Sequence, residues 1–199
     1  MTATTETRAT SHGRRAATRP VSQRGSLLVA AALLGSALLL ALNSTAVIAV
    51  EAKLTAFIMG LFTYGQSTSH EHLIYIGLGT GEVLGFLITP LCTSIVLATP
   101  VLVLAGLLLL FPRYRLAWVL RGLLVALPLA IGANLARFVL VGVALQLWGR
   151  GGFEIMHHYV GSVLVLLCSA AALVLLLLIA TTGRVSIPSG WLALLGRRR

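Results

Sequence analysis

The sequence predicts an all-α integral membrane protein of about four transmembrane helices, with a small interfacial helix and β-hairpin outside the membrane. Three observations carry that expectation. The chain is 58% hydrophobic and only 10% charged. Its apolar runs exceed the ~18 residues that suggest a membrane span. Twelve of its fifteen basic residues sit in three clusters beside those runs. Arg8, Arg14, Arg15, Arg19 and Arg24 precede the first run, Arg113, Arg115 and Arg121 lie between later ones, and Arg184, Arg197, Arg198 and Arg199 close the chain. Such a bias marks the cytoplasmic flanks of spans. It accounts for the formal charge of +10 through membrane orientation, and nucleic acid is not an expected partner. Two cysteines with no Cys-x-x-Cys pair argue against a dithiol redox enzyme or a structural zinc site.

Each element follows in order. Residues 1–25 are polar, basic and low in complexity, and read as a disordered cytoplasmic tail. Residues 26–50 exceed the ~7–15-residue core of a signal peptide and lack a convincing cleavage site, so they read as an uncleaved first span. Within residues 51–91, Leu54, Phe57, Ile58, Leu61 and Phe62 recur at helical spacing, which predicts a short helix lying on the outer interface. Residues 66–70 read as a turn. Residues 72–76 and 82–88 are β-prone runs flanking Gly77, Gly79 and Gly81, a hairpin pattern.

Residues 92–111 form the second predicted span. The following apolar stretch, 116–148, is 33 residues long and carries Pro128 and Gly132. That is too long for one straight span of ~20 residues. Two paths stay open: a tilted span, or a span whose last turns (138–147) fold along the outer face. Residues 149–156 read as a short outer loop and 157–181 as the fourth span. The membrane-embedded domain is therefore 26–181, and 182–199 is a second basic cytoplasmic tail. Both termini lie inside, and the outer segments hold Glu51, Glu71, Glu82 and Glu154, four of the five acids.

Three positions stand out against this apolar background. Cys92 opens the second span just after Pro90, which is tolerated in the first turn of a helix. A thiol in that turn feels the positive end of the helix dipole, which favours its nucleophilic form. The plain alternative is a small buried hydrophobe. Cys168 is the internal control, lying ~16 Å below His157 at 1.5 Å per residue, and reads as packing, too deep to reach Cys92 for a disulfide. Arg137 lies inside the third apolar stretch, where a charge costs ~2.5–3.5 kcal/mol, so it is expected to face a polar cavity or a partner. Asn134, one turn earlier, shares its face and is placed to orient the guanidinium. His157 and His158 open the fourth span, and Gly161 falls on the His157 face, where it lets a neighbouring helix approach closely. His70-Glu71-His72 matches no specific metal pattern and reads as a solvated loop.

In order along the chain these motifs are Cys92-Thr93-Ser94, Asn134-Leu135-Ala136-Arg137 and His157-His158-Tyr159-Val160-Gly161, with Arg137 45 residues after Cys92 and His157 20 residues further on. The set resembles the exosortase/archaeosortase family of membrane cysteine transpeptidases over residues 51–181. It departs from that pattern at Ser94, where most members carry glycine, and in lacking additional N-terminal spans. The resemblance implies a cell-membrane protease or transpeptidase with its active site on the extracytoplasmic face and no cofactor or metal. Its partners would be exported proteins ending in a recognition motif, one apolar span and a basic tail. Cys92 would be the nucleophile, His157 the general acid–base and Arg137 the oxyanion stabiliser, with Asn134, Gly161 and His158 supporting. A second reading, from a different class, is a non-enzymatic four-span protein that binds a metal or polar ligand through His70, His72, His157 and His158.

Overall fold

The computed structural model describes residues 23–63 and 66–182. Most of the two tails, residues 1–22 and 183–199, lies outside the described residues. The described chain is mostly helical. Helix α1 spans Gln23–Leu42 and α2 spans Ser44–Met59. The predicted single span 26–50 is thus two helices. They part at Asn43, whose backbone leaves helical geometry at φ −107° and ψ 34°. Its side-chain amide donates to the Leu39 carbonyl at 2.9 Å, a local bond that competes with helix continuation.

The break lets the two helices pack on different partners. α1 lies mainly against α3 (Ser94–Leu110), whereas α2 lies against the sheet and α4 (Leu116–Ile155). The stripe α2 presents is Ile48, Glu51, Ala52, Thr55, Ala56 and Met59, all buried. Leu54, Phe57, Leu61 and Phe62 are exposed instead. The predicted interfacial helix is therefore the second half of a longer one.

Three antiparallel strands follow, β1 (Gln66–His70), β2 (Leu73–Leu78) and β3 (Leu84–Leu87), in the order β1-β2-β3. Residues 66–70 are a strand where a turn was expected. Gln-Ser-Thr-Ser-His carries no apolar alternation, and what makes it a strand is pairing with β2, with Thr68 opposite Tyr75 and His70 opposite Leu73. Ile74, Ile76, Phe86 and Ile88 turn inward from the sheet.

After β3 the chain makes a single 3₁₀ turn, Pro90–Cys92, before α3 starts at Ser94. α4 runs from Leu116 without interruption to Trp148, which at 1.5 Å per residue is ~50 Å, well beyond a ~30 Å hydrocarbon core. No break interrupts it at Pro128 or Gly132. Phe138 and Leu145 join the cluster formed with α2 and the sheet. The break comes at Gly149, at φ 63° and ψ −150°, a backbone that a residue with a side chain would resist. Residues 150–155 are helical, not a loop, and a π-helical turn (Met156–Val160) leads into α5 (Gly161–Thr182).

Two cores result. A bundle core joins α1, α3, the first half of α4 and the second half of α5. A cap core joins α2, the sheet and the far end of α4, with Cys92 and Phe153 packed at its edge. By length and composition, α1 and the run Leu116–Thr182 are long and apolar enough to cross a membrane, while α3 is apolar but shorter at 17 residues.

Candidate active site at the seam of bundle and cap

The site forms where α3 begins. Pro90 starts the 3₁₀ turn, the Cys92 amide donates to the Thr89 carbonyl at 2.9 Å, and the Thr93 hydroxyl donates back to the Pro90 carbonyl at 3.0 Å. Thr93, extended at φ −80° and ψ 157°, is the N-cap of α3 and makes no side-chain cap bond. Cys92 therefore precedes the cap, outside the first turn of the long helix. The expected dipole assistance to the thiol does not follow from this position, because the positive end of α3 faces another group.

That group is Glu51, which the sequence reading counted only among the outer acids. Both its carboxylate oxygens accept from the Ser94 amide, at 3.2 and 3.1 Å, and the Ser94 hydroxyl also donates to it. A carboxylate at a helix N-terminus is stabilised by the unpaired amides and the helix dipole. Here it arrives from 43 residues upstream and replaces the missing side-chain cap. The periodicity of α2 is the signal that marks it: Glu51 shares the buried stripe with Ile48, Ala52 and Thr55. An acid on an apolar stripe is costly unless it is paired.

Asn134 ties this cap to the nucleophile. It is 1% exposed, and its amide nitrogen lies 2.8 Å from Glu51 Oε1, 2.9 Å from the Cys92 carbonyl and 3.3 Å from Ser94 Oγ. It thus holds the Cys92 backbone and the Glu51 carboxylate, and among the described residues no hydrogen bond joins it to the guanidinium it was expected to orient.

Arg137, one turn further along α4, is 9% exposed. Its Nη2 donates towards Cys92 Sγ at 3.9 Å and to the His157 carbonyl at 3.4 Å, and its buried Nε has no hydrogen-bond partner. The ion pair among the described residues is Arg150–Glu154, at 3.5 Å on the surface. Arg137 is therefore a buried cation with an unmatched donor and no carboxylate partner. It is ready to receive an anionic oxygen or sulfur.

The π turn supplies the other wall. π turns occur often at functional sites. The His157 carbonyl accepts from Arg137 and from the Ser162 hydroxyl at 3.1 Å. The His157 ring is half-buried and stacks on Phe153, with centroids 5.2 Å apart, while His158 is exposed and meets His157 edge-on at 5.1 Å. No hydrogen bond among the described residues joins the His157 ring to Cys92. Gly161 is buried because the stem of Arg137 fills the space where a side chain would be. An added Cβ would lie 2.7 Å from Arg137 Cγ.

The structure thus gathers Cys92, Asn134, Arg137, Gly161 and the backbone of His157, adds Glu51 and Ser94, and leaves His158 at the rim. Cys168 is a free, half-buried cysteine within α5. His70 ends β1 and His72 follows the turn at Glu71 (φ 53°). Among the described residues no group of three or more His, Cys, Asp or Glu side chains is placed to hold a metal ion. The shared ion of the histidine-based reading therefore has no ligand cluster behind it. No curated protein and no solved structure matches this chain. A family model described as Transmembrane exosortase matches residues 9–179.

Proposed function

The chain belongs to the transmembrane exosortase family, and from that premise we propose that it cleaves and transfers the C-terminal sorting signals of exported proteins through a Cys92 acyl-enzyme. Membership carries the coarse activity, that of a membrane transpeptidase or protease. The residue assignment rests on one observation: the Arg137 guanidinium reaches both Cys92 Sγ and the carbonyl of His157.

The chemistry follows from that placement. His157 takes the proton of the Cys92 thiol, the resulting thiolate attacks the carbonyl carbon of a peptide bond, and negative charge develops on the carbonyl oxygen. Arg137 stabilises that oxyanion from a buried position, where a fixed donor is worth more than in bulk solvent. His157 passes a proton to the leaving nitrogen as the C–N bond breaks, which leaves a thioester on Cys92. An incoming amine, lipid-like acceptor or water then attacks the thioester, surrenders its proton to His157 and releases the thiolate. Catalytic hydrogen bonds to an imidazole often close only once substrate is bound.

The accompanying topology has four spans (α1, α3, α4 and α5), both ends of the chain in the cytoplasm and the cap outside. A substrate anchored by its own C-terminal span then presents its motif at the depth of Cys92. The test is twofold. A membrane-impermeant thiol reagent applied to intact cells labels Cys92 and spares Cys168, and Cys92→Ala abolishes tail removal from exported proteins while Cys168→Ala leaves it near native. Labelling of Cys92 only in opened membranes overturns the placement. Tail removal that persists in Cys92→Ala overturns the nucleophile.

A further inference from the structure

Sheet edges are usually protected, because their unpaired backbone groups recruit other strands. The two edges of this sheet are treated differently. β1 is polar, packs on α2, and is tied to the end of α2 by the contact between the Thr63 and Ser67 hydroxyls at 3.0 Å. β3, Leu84-Gly85-Phe86-Leu87, has no charge, no proline and no bulge. It is the terminal strand on its side of the sheet.

The register shows which of its backbone groups are free. The Ile88 amide donates to the His72 carbonyl at 2.9 Å, and β3 pairs Phe86 with Ile74 and Leu84 with Ile76. In an antiparallel ladder, bonded and non-bonded pairs alternate. Ile88, Phe86 and Leu84 therefore bond inward to β2, and the amides and carbonyls of Gly85 and Leu87 point away from it. Both residues are exposed, Leu87 to 57%. No hydrogen bond from either to another element occurs among the described residues. The strand then runs through Thr89 and Pro90 into the turn that carries Cys92.

We infer that the β3 edge is the docking strand for the substrate: an extended segment of an exported protein, lying just ahead of its C-terminal membrane anchor, adds beside β3 as a fourth, parallel strand. This deepens the proposed function and rests on it. The orientation follows from geometry. β3 runs toward Cys92, and the substrate chain also runs toward the membrane, because its anchor comes after its motif. A peptide paired with Gly85 and Leu87 is thereby guided along the edge to the thiol. Backbone pairing supplies affinity without demanding particular side chains, and the exposed Leu87 and Leu91 offer the apolar contacts.

Proline substitution tests the edge because it removes an amide without disturbing inward pairing. In the full-length chain in its host, tail removal from exported proteins in Leu87→Pro is expected to fall about fivefold below that in Leu87→Ala, the factor one hydrogen bond is worth. The rate of Cys92 labelling by a thiol reagent should be the same in both, which shows that the site is folded. A second arm places a photoreactive benzophenone amino acid at Leu87 in the Cys92→Ala background. Adducts are expected to map to the residues immediately before a C-terminal span, and to be far fewer from the same probe at Gln66 on the opposite edge. Equal tail removal in Leu87→Pro and Leu87→Ala, or adducts to lipid alone, overturns the docking strand while leaving the nucleophile intact. Tail removal that continues in Cys92→Ala defeats the functional reading instead.

Discussion

The bundle core and the cap core are built from different materials. Alanine supplies seven of the fifteen buried residues in the bundle, among them Ala30, Ala105, Ala126 and Ala172. In the cap it supplies two of ten, and Ile48, Ile74, Ile76, Phe86 and Phe138 fill most of the space. On the proposed topology, with the bundle in lipid and the cap in water, the contrast follows from the solvent on each side. Between helices in lipid there is little hydrophobic drive to associate, so close backbone approach past small residues does the holding. The cap is held by large side chains withdrawn from water, at ~25 cal/mol per Å² of apolar surface. Most of the buried polar residues lie along the seam between the two. Rigid backbones from the bundle and desolvation by the cap meet there around Glu51, Cys92, Asn134 and Arg137.

If the seam carries the chemistry, substitutions there should exceed anything done to either core. The largest effect among these variants is expected at His157. His157→Ala should slow single-turnover acyl transfer by the ~10²–10⁴-fold that a general acid–base contributes, whereas the exposed His158→Ala should stay within a few-fold of native. Rates in the reverse order would move the base to His158 and the site away from the seam. Arg137→Lys comes next. It keeps the charge but loses the planar fork, and a fall of about 10²–10³ in acyl transfer is expected, comparable to losing an oxyanion donor. Near-native transfer would reduce Arg137 to a counter-charge.

Glu51→Ala strips a partner from the Ser94 amide, the Ser94 hydroxyl and Asn134. Unsatisfied buried groups of this kind cost about 1–3 kcal/mol. Loss of thermal stability is expected, with more of it recovered in Glu51→Gln, which keeps an acceptor; equal loss in both would show that charge and not hydrogen bonding holds the cap. The smallest effects belong to the cores. In Gly142→Ala the new Cβ meets the flexible end of Met59, and in Gly122→Ala it meets the Leu176 carbonyl at 3.1 Å and Cα at 3.3 Å. Overpacking costs about 1–3 kcal/mol. Gly122→Ala should sit nearer the upper end, because backbone cannot step aside, and thermal inactivation of the two purified variants ranks them.

Residues that violate the composition around them were readable from sequence. Arg137 and Asn134 stand out because polar groups are expensive in an apolar helix, and Cys92 because it borders a proline and a long apolar run. Glu51 is inconspicuous in the sequence since it falls at the border between the predicted span 26–50 and the outer segment, where α2 in fact runs through unbroken. The Asn43 break lets α2 pack apart from α1, and from there Glu51 reaches the start of α3. β1 was invisible because its strand character comes from its partner, and the π turn because it is a matter of one extra residue per turn. The position of Cys92 before the helix, not within it, depended on where Thr93 departs from helical geometry, which boundary reading by residue type resolves poorly.

The fit of Arg137 against Gly161 also bears on how the protein is made. Synthesis proceeds from the N-terminus, so Cys92 and Arg137 are made before α5 exists. Until Gly161 arrives, nothing covers the arginine stem, and until the π turn forms, its guanidinium lacks the carbonyl that holds it beside the thiol. A ribosome-bound intermediate ending before residue 157 therefore carries Cys92 and Arg137 without the His157 carbonyl that Arg137 holds in the folded chain. On the proposed function, such a chain gains its activity only as its last described helix is threaded.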